Sequence, residues 1–173
     1  MKKNLLATME MNRFTRRLVV PLLAVTVNVM GQDARSLRGL RGLQVVVEAL
    51  STDVEQAGLH KTDIQTDVEL KLRLAGIKVL TDEENLKQLG FPILHLNPNV
   101  ALTKTSPGLA YYSLDCELHQ YVKLTRDESI TTEAATWEDG NMGATTNLQH
   151  IRDSIKDLVD KFINDYLSVN PKK

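Results

Sequence analysis

The chain has 173 residues, 42% hydrophobic and 25% charged, an ordinary globular composition with material for one core and too little for two typical domains. Its net charge of −1 hides an asymmetry: residues 1–31 hold Lys2, Lys3, Arg13, Arg16 and Arg17 against Glu10, and residues 32–173 carry 16 basic and 21 acidic side chains, a net of −5. Such a body is not built as a nucleic-acid groove, which needs clustered Lys and Arg to displace counterions.

The basic residues Arg13, Arg16 and Arg17 precede Leu18–Met30, a run almost uncharged and mostly apolar, and short residues follow at Val29 and Gly31. Basic region, apolar region and small-residue site together predict a secretory signal peptide over residues 1–31 and a periplasmic or secreted protein. The run is shorter than the ~20 residues of a spanning helix, and Asn28 interrupts it, so a membrane anchor ranks below export. No Cys follows it, which argues against lipoprotein processing. Met1 and Met11 both stand as starts.

Residues 32–42 read as an exposed lead-in. Arg35, Arg38 and Arg41 recur between Leu37, Leu40 and Leu43, and Gly39 and Gly42 let the segment bend. A basic arm on an anionic surface is the alternative, but so few charges give little affinity at physiological salt.

The domain proper is expected over residues 43–170. Leu43–Leu50, with Val45, Val46 and Val47 in a row, predicts a strand largely covered on both faces. A polar connection, 51–60, leads to a helix that begins near Thr62 and ends at Gly76. Ile64, Val68, Leu72 and Ala75 form its buried stripe, and Asp67–Lys71 and Glu69–Arg73 are its outer i,i+4 pairs. Leu70 and Leu74 make a second stripe, expected to be a shoulder under a neighbouring loop or helix. Ile77–Leu80 then reads as a second strand, completing a strand–helix–strand unit.

Thr81–Glu84 fits a capping box that opens a short helix. Ile93–Leu102 predicts a strand in which Pro98 marks an edge or a bulge. Ser106-Pro107-Gly108 is a turn. Tyr111–Thr125 alternates Tyr112, Leu114, Cys116, Leu118, Val122 and Leu124 with polar residues, which predicts a strand with one dry and one wet face. Ile130–Glu138 is its hairpin partner, and Asp139–Gly143 a flexible loop. From Ile151 to Leu167 apolar residues keep helical spacing, with Asp157–Lys161 and Lys156–Asp160 on the other face. The fold expected is a single α+β domain: a mixed sheet of four or five strands with two main helices packed on one face.

Chemistry is sparse. No glycine-rich phosphate loop, Gly-x-Ser-x-Gly, paired-Cys motif or His-Glu-x-x-His occurs. Asp115, Glu117 and His119 share the wet side of one strand, but alternate residues there stand ~6.5–7 Å apart, so a metal or acid–base site needs a neighbouring strand. The ordinary reading is mixed charge on a solvated face. His60, His95 and His150 are scattered singly. Cys116, the only cysteine, falls on the dry side, where burial makes a thiol inert, and it has no internal disulfide partner. No catalytic, cofactor or metal residue is assigned.

The phrases Leu37-Arg38-Gly39-Leu40 with Val45-Val46-Val47-Glu48, Thr66-Asp67-Val68-Glu69-Leu70-Lys71-Leu72-Arg73, and Phe162 with Asn164-Asp165-Tyr166-Leu167 resemble those of a group of uncharacterised exported bacterial proteins, over most of residues 37–172. The element order is also similar to small periplasmic α/β domains such as the N-terminal domain of the TolB type. The resemblance implies a fold and a compartment and brings no activity with it. The function expected is a non-catalytic periplasmic interaction module with an envelope protein as partner. A small-ligand or lipid carrier is the alternative, and a hydrolase a distant third.

Overall fold

The computed structural model describes residues 34–171; the expected signal peptide over 1–31 lies outside them. After a short 3₁₀ turn at Ala34–Leu37, the elements run β1 (Gln44–Val47), α1 (Thr52–Gln56), α2 (Lys61–Ala75), α3 (Asp82–Asn85), β2 (Ile93–Leu102), β3 (Ala110–Leu124), β4 (Asp127–Thr145) and α4 (Leu148–Val169).

Local chemistry sets most of the boundaries. α2 stops at Gly76, whose φ of 84° is the left-handed conformation that releases the chain from a helix. Its N-cap is His60, so it starts just ahead of the expected Thr62. Thr81 and Glu84 exchange the two hydrogen bonds of a capping box, at 3.2 and 3.1 Å, and so open α3. Asn147 caps α4 by accepting from the Gln149 amide at 3.0 Å. The polar connection after β1 holds an extra helical turn, α1, because Val54 is driven into the core from its middle.

The sheet is mixed, with strand order β1-β2-β3-β4; β1 runs parallel to β2, and the other neighbours are antiparallel. The three helices α1–α3 make the crossover that a parallel pair requires. Ile77–Leu80 is not a full strand: it meets the chain before β1 by a single parallel bridge, Leu43 to Val79. β2 takes the parallel place beside β1 because its alternation puts Leu94 and Leu96 level with Val45 and Val47.

Pro98 sits mid-strand in β2 without breaking it. Leu96 turns its carbonyl toward β1, where the Glu48 amide donates to it at 2.8 Å. Two residues on, Pro98 turns its missing donor the same way, beyond the end of β1, where the ladder needs none. The loop expected at Asp139–Gly143 is instead the continuation of β4, paired residue by residue with Tyr112–Cys116. Its glycines are there for close approach rather than freedom. A Cβ on Gly140 would lie 2.8 Å from the Leu114 carbonyl oxygen, and one on Gly143 2.7 Å from the Tyr112 hydroxyl.

One face of the sheet is dry. Val45, Val47, Leu94, Leu96, Val100, Ala110, Leu114, Cys116, Leu118 and Trp137 are buried there with Ile64, Val68 and Leu72 of α2 and Ile151, Ile155, Leu158, Val159 and Phe162 of α4. β1 is covered on this face only: Val46, expected to be enclosed, is half-buried. Trp137 is pinned to α4 by its indole N–H, which donates to Asp165 at 2.8 Å, and lies edge-on to Phe162. The expected shoulder on α2 has no cover among the described residues, since Leu70 and Leu74 are both exposed.

The lead-in is only partly exposed. Arg35, Arg38 and Arg41 are exposed, as expected, but Leu37 is fully buried in the main core and Leu40 packs against it. The spacing that looked like a basic repeat also carries two leucines to the end of α4.

Cys116 has no solvent exposure, and burial pushes its thiol pKa far above the ordinary value. The native protein is therefore expected to resist a thiol reagent until it is unfolded. Rapid stoichiometric labelling without denaturant would contradict the packing of β3.

Candidate functional site

Among the described residues the other face of the sheet carries no helix, and its residues are half-buried or exposed. On it, strand pairing assembles a cluster that chain order does not suggest. His95 of β2 is level with Glu117 of β3, and His119 lies two residues further along β3, level with Ile93. The His95 and His119 rings meet edge to face, centroids 5.6 Å apart.

Each histidine is held by carboxylates. His95 Nε2 lies 2.7 Å from Glu48, just past the end of β1. His119 is gripped on both sides, Nε2 by Glu117 at 2.6 Å and Nδ1 by Glu133 at 2.9 Å. Ionised carboxylates only accept, so this arrangement favours the imidazolium form of His119, which can donate from both nitrogens. The hydrogen bond to Glu117, reinforced by that to Glu133, holds its pKa above the usual histidine value, against the opposing effect of partial burial. The bond from His95 likewise keeps the Glu48 carboxyl below its ordinary value.

A bulge makes the Glu133 contact. Leu118 pairs with Trp137, but His119 pairs with Ala135, so Thr136 is an extra residue in β4. Its hydroxyl donates to the Leu118 carbonyl at 3.2 Å and accepts from Gln120 at 2.7 Å, which seats the irregularity. Odd-numbered β4 residues face the core from Trp137 onward; across the bulge the parity reverses, and Ala135 and Glu133 turn to the wet side.

Of the residues weighed from sequence, Glu117 and His119 come together, and Asp115 stays outside the trio they form with His95. In the sequence His95 stands as an isolated histidine, and nothing there singles out Glu48 or Glu133. The available signal was the alternation Ile93-Leu94-His95-Leu96, which puts His95 on a wet face; missing was the knowledge that β2 lies beside β3. His150 sits elsewhere, with its ring beside Tyr112, and His60 at the cap of α2.

A second feature of the bare face is apolar. Tyr111 and Met142 are exposed, and Ala101 and Ala144 flank Tyr111 across the strands. β4, 19 residues long, borders this patch as the last strand of the sheet. Among the described residues no helix is long and apolar enough to cross a membrane. No protein-family model matches the chain, and a search of curated proteins finds no match either.

Proposed function

We propose that this protein is an exported, non-catalytic periplasmic module that docks an envelope protein on the bare face and free edge of its sheet. The observation that carries this reading is the one-sidedness of the sheet. Helices cover one face; the other exposes Tyr111 and Met142, and the outer edge of β4 has no strand beside it among the described residues. An open edge offers a row of unpaired backbone donors and acceptors to an extended segment of a partner, and alternate apolar side chains supply the specificity. Support for export comes from the basic and apolar runs before Gly31.

The test is site-specific photo-crosslinking in cells, with the reactive group at Met142 or, as control, at the exposed Asn164 of α4. A discrete envelope-protein adduct from Met142 alone, on a mature chain that begins near Gln32, is the expected result. Equal adducts from both positions would reject the docking surface. A mature chain that retains Arg16 and Arg17 would reject export.

A small-ligand carrier is favoured by one different feature. Arg38, Arg41 and Lys87 line a cleft of about 460 Å³ with Ser36, Gln88 and Gln120, and no carboxylate is among its described lining residues. An anionic small molecule retained in native mass spectrometry would shift the function to that cleft.

A further inference from the structure

We infer that His95, His119 and Glu117 form a binding site for a divalent transition-metal ion of the zinc class, built across β2 and β3 on the bare face of the sheet. One ring nitrogen from each histidine and one oxygen of Glu117 lie within 4.8 Å of one another. Small side-chain rotations bring such a trio to the ligand distances of zinc, about 2.0–2.2 Å for nitrogen and oxygen. Two imidazoles and one carboxylate suit zinc and its neighbours, whereas calcium and magnesium favour all-oxygen shells.

Hydrogen bonds within the cluster already orient its ligand atoms. His119 Nε2 lies 2.6 Å from Glu117, and both are metal ligands by chemistry. An ion between them is bound by the deprotonated Nε2 and the carboxylate as joint ligands, and any proton on Nε2 is released to solvent. Glu133 keeps its separate hold on Nδ1–H at 2.9 Å, the carboxylate–histidine–metal chain that fixes tautomer and ring orientation. Glu48 holds the His95 ring through its Nε2 at 2.7 Å. Three protein ligands leave one position of a tetrahedral shell for water on the solvent side.

The experiment uses the untagged full-length protein, stripped with a chelator and titrated with Zn²⁺ by calorimetry and with Co²⁺ by absorption and paramagnetic NMR. One ion per chain is expected, with Co²⁺ broadening the ring signals of His95 and His119 and sparing His60 and His150. Glu133→Gln should weaken Zn²⁺ binding roughly 10- to 100-fold, the range for loss of a carboxylate behind a ligating histidine. His119→Ala should weaken it at least as much, and Asp115→Asn, on the same strand face but outside the trio, should leave it unchanged. Equal Zn²⁺ affinity in the wild type and a folded His119→Ala protein would overturn the proposal. So would Co²⁺ that leaves the His95 and His119 signals sharp or broadens all four histidines alike, a readout on the wild type that does not depend on any variant folding.

Discussion

Phe162→Ala is expected to lower the unfolding free energy by about 3–5 kcal/mol, a large share of the ~5–15 kcal/mol typical of a domain. Phe162 has no solvent exposure and stands where α4 meets the sheet. Its ring is edge-on to Trp137, centroids 5.0 Å apart at 80°, and stacks on Tyr166 at 6.5 Å. Removing it takes apolar area out of the core and leaves a void between β4 and α4 that the pinned indole cannot fill by moving. Asn164→Ala, on the exposed side of the same helix, should change stability by no more than ~0.5 kcal/mol. Urea unfolding compares the two. A Phe162→Ala midpoint equal to that of the wild type would mean that α4 does not rest on the sheet, and its apolar stripe would then become the candidate docking surface.

Leu37→Ala should cost about 2–5 kcal/mol, although the residue precedes the first strand. Leu37 is fully buried in the main core. The segment around it is tied to the end of α4 by three bonds. Asn170 donates from its side-chain amide to the Leu37 carbonyl at 2.9 Å and accepts from the Gly39 amide at 2.8 Å, and the Tyr166 hydroxyl donates to the Leu40 carbonyl at 3.0 Å. Gly39 has a φ of 79°, which lets the chain turn back after this contact. Arg38→Ala, with an exposed side chain, should stay within ~0.5 kcal/mol. Thermal or urea unfolding of the pair decides the matter: a Leu37→Ala protein with wild-type stability would restore the exposed lead-in and detach residues 34–42 from the fold.

The candidate cluster was half legible. Period-two alternation placed Glu117 and His119 on the wet side of β3, and the same rule, applied to Ile93–Leu102, places His95 on the wet side of β2. Their meeting depends on the antiparallel register of β2 with β3, a contact between residues more than 20 positions apart. Glu133 was hidden more deeply. Its side-chain direction follows from one inserted residue at Thr136, and nothing in the alternation of β4 by itself announces a bulge.

What the sequence determined alone is whatever short-range chemistry controls. The end of α2 at Gly76, the capping box at Thr81 and Glu84, the dry side of β3 and the apolar stripe of α4 each follow from residues within a few positions of one another. Tertiary structure decided which partners were chosen wherever one group had several within reach. Glu69 and Arg73 pair along their helix at 2.7 Å as spacing predicts. Asp67 instead meets Arg152 at 2.6 Å, which holds its carboxyl below the usual range, and Lys156 at 3.4 Å; Lys71 bonds Asp160, and Lys161 reaches Asp139 on β4 at 3.0 Å. An i,i+4 pair in water contributes only ~0.2–0.5 kcal/mol, too little to hold a side chain back from a charge that core packing brings alongside. The apolar stripes of α2 and α4 set how closely the two helices approach, and the ion pairs between them follow from that approach.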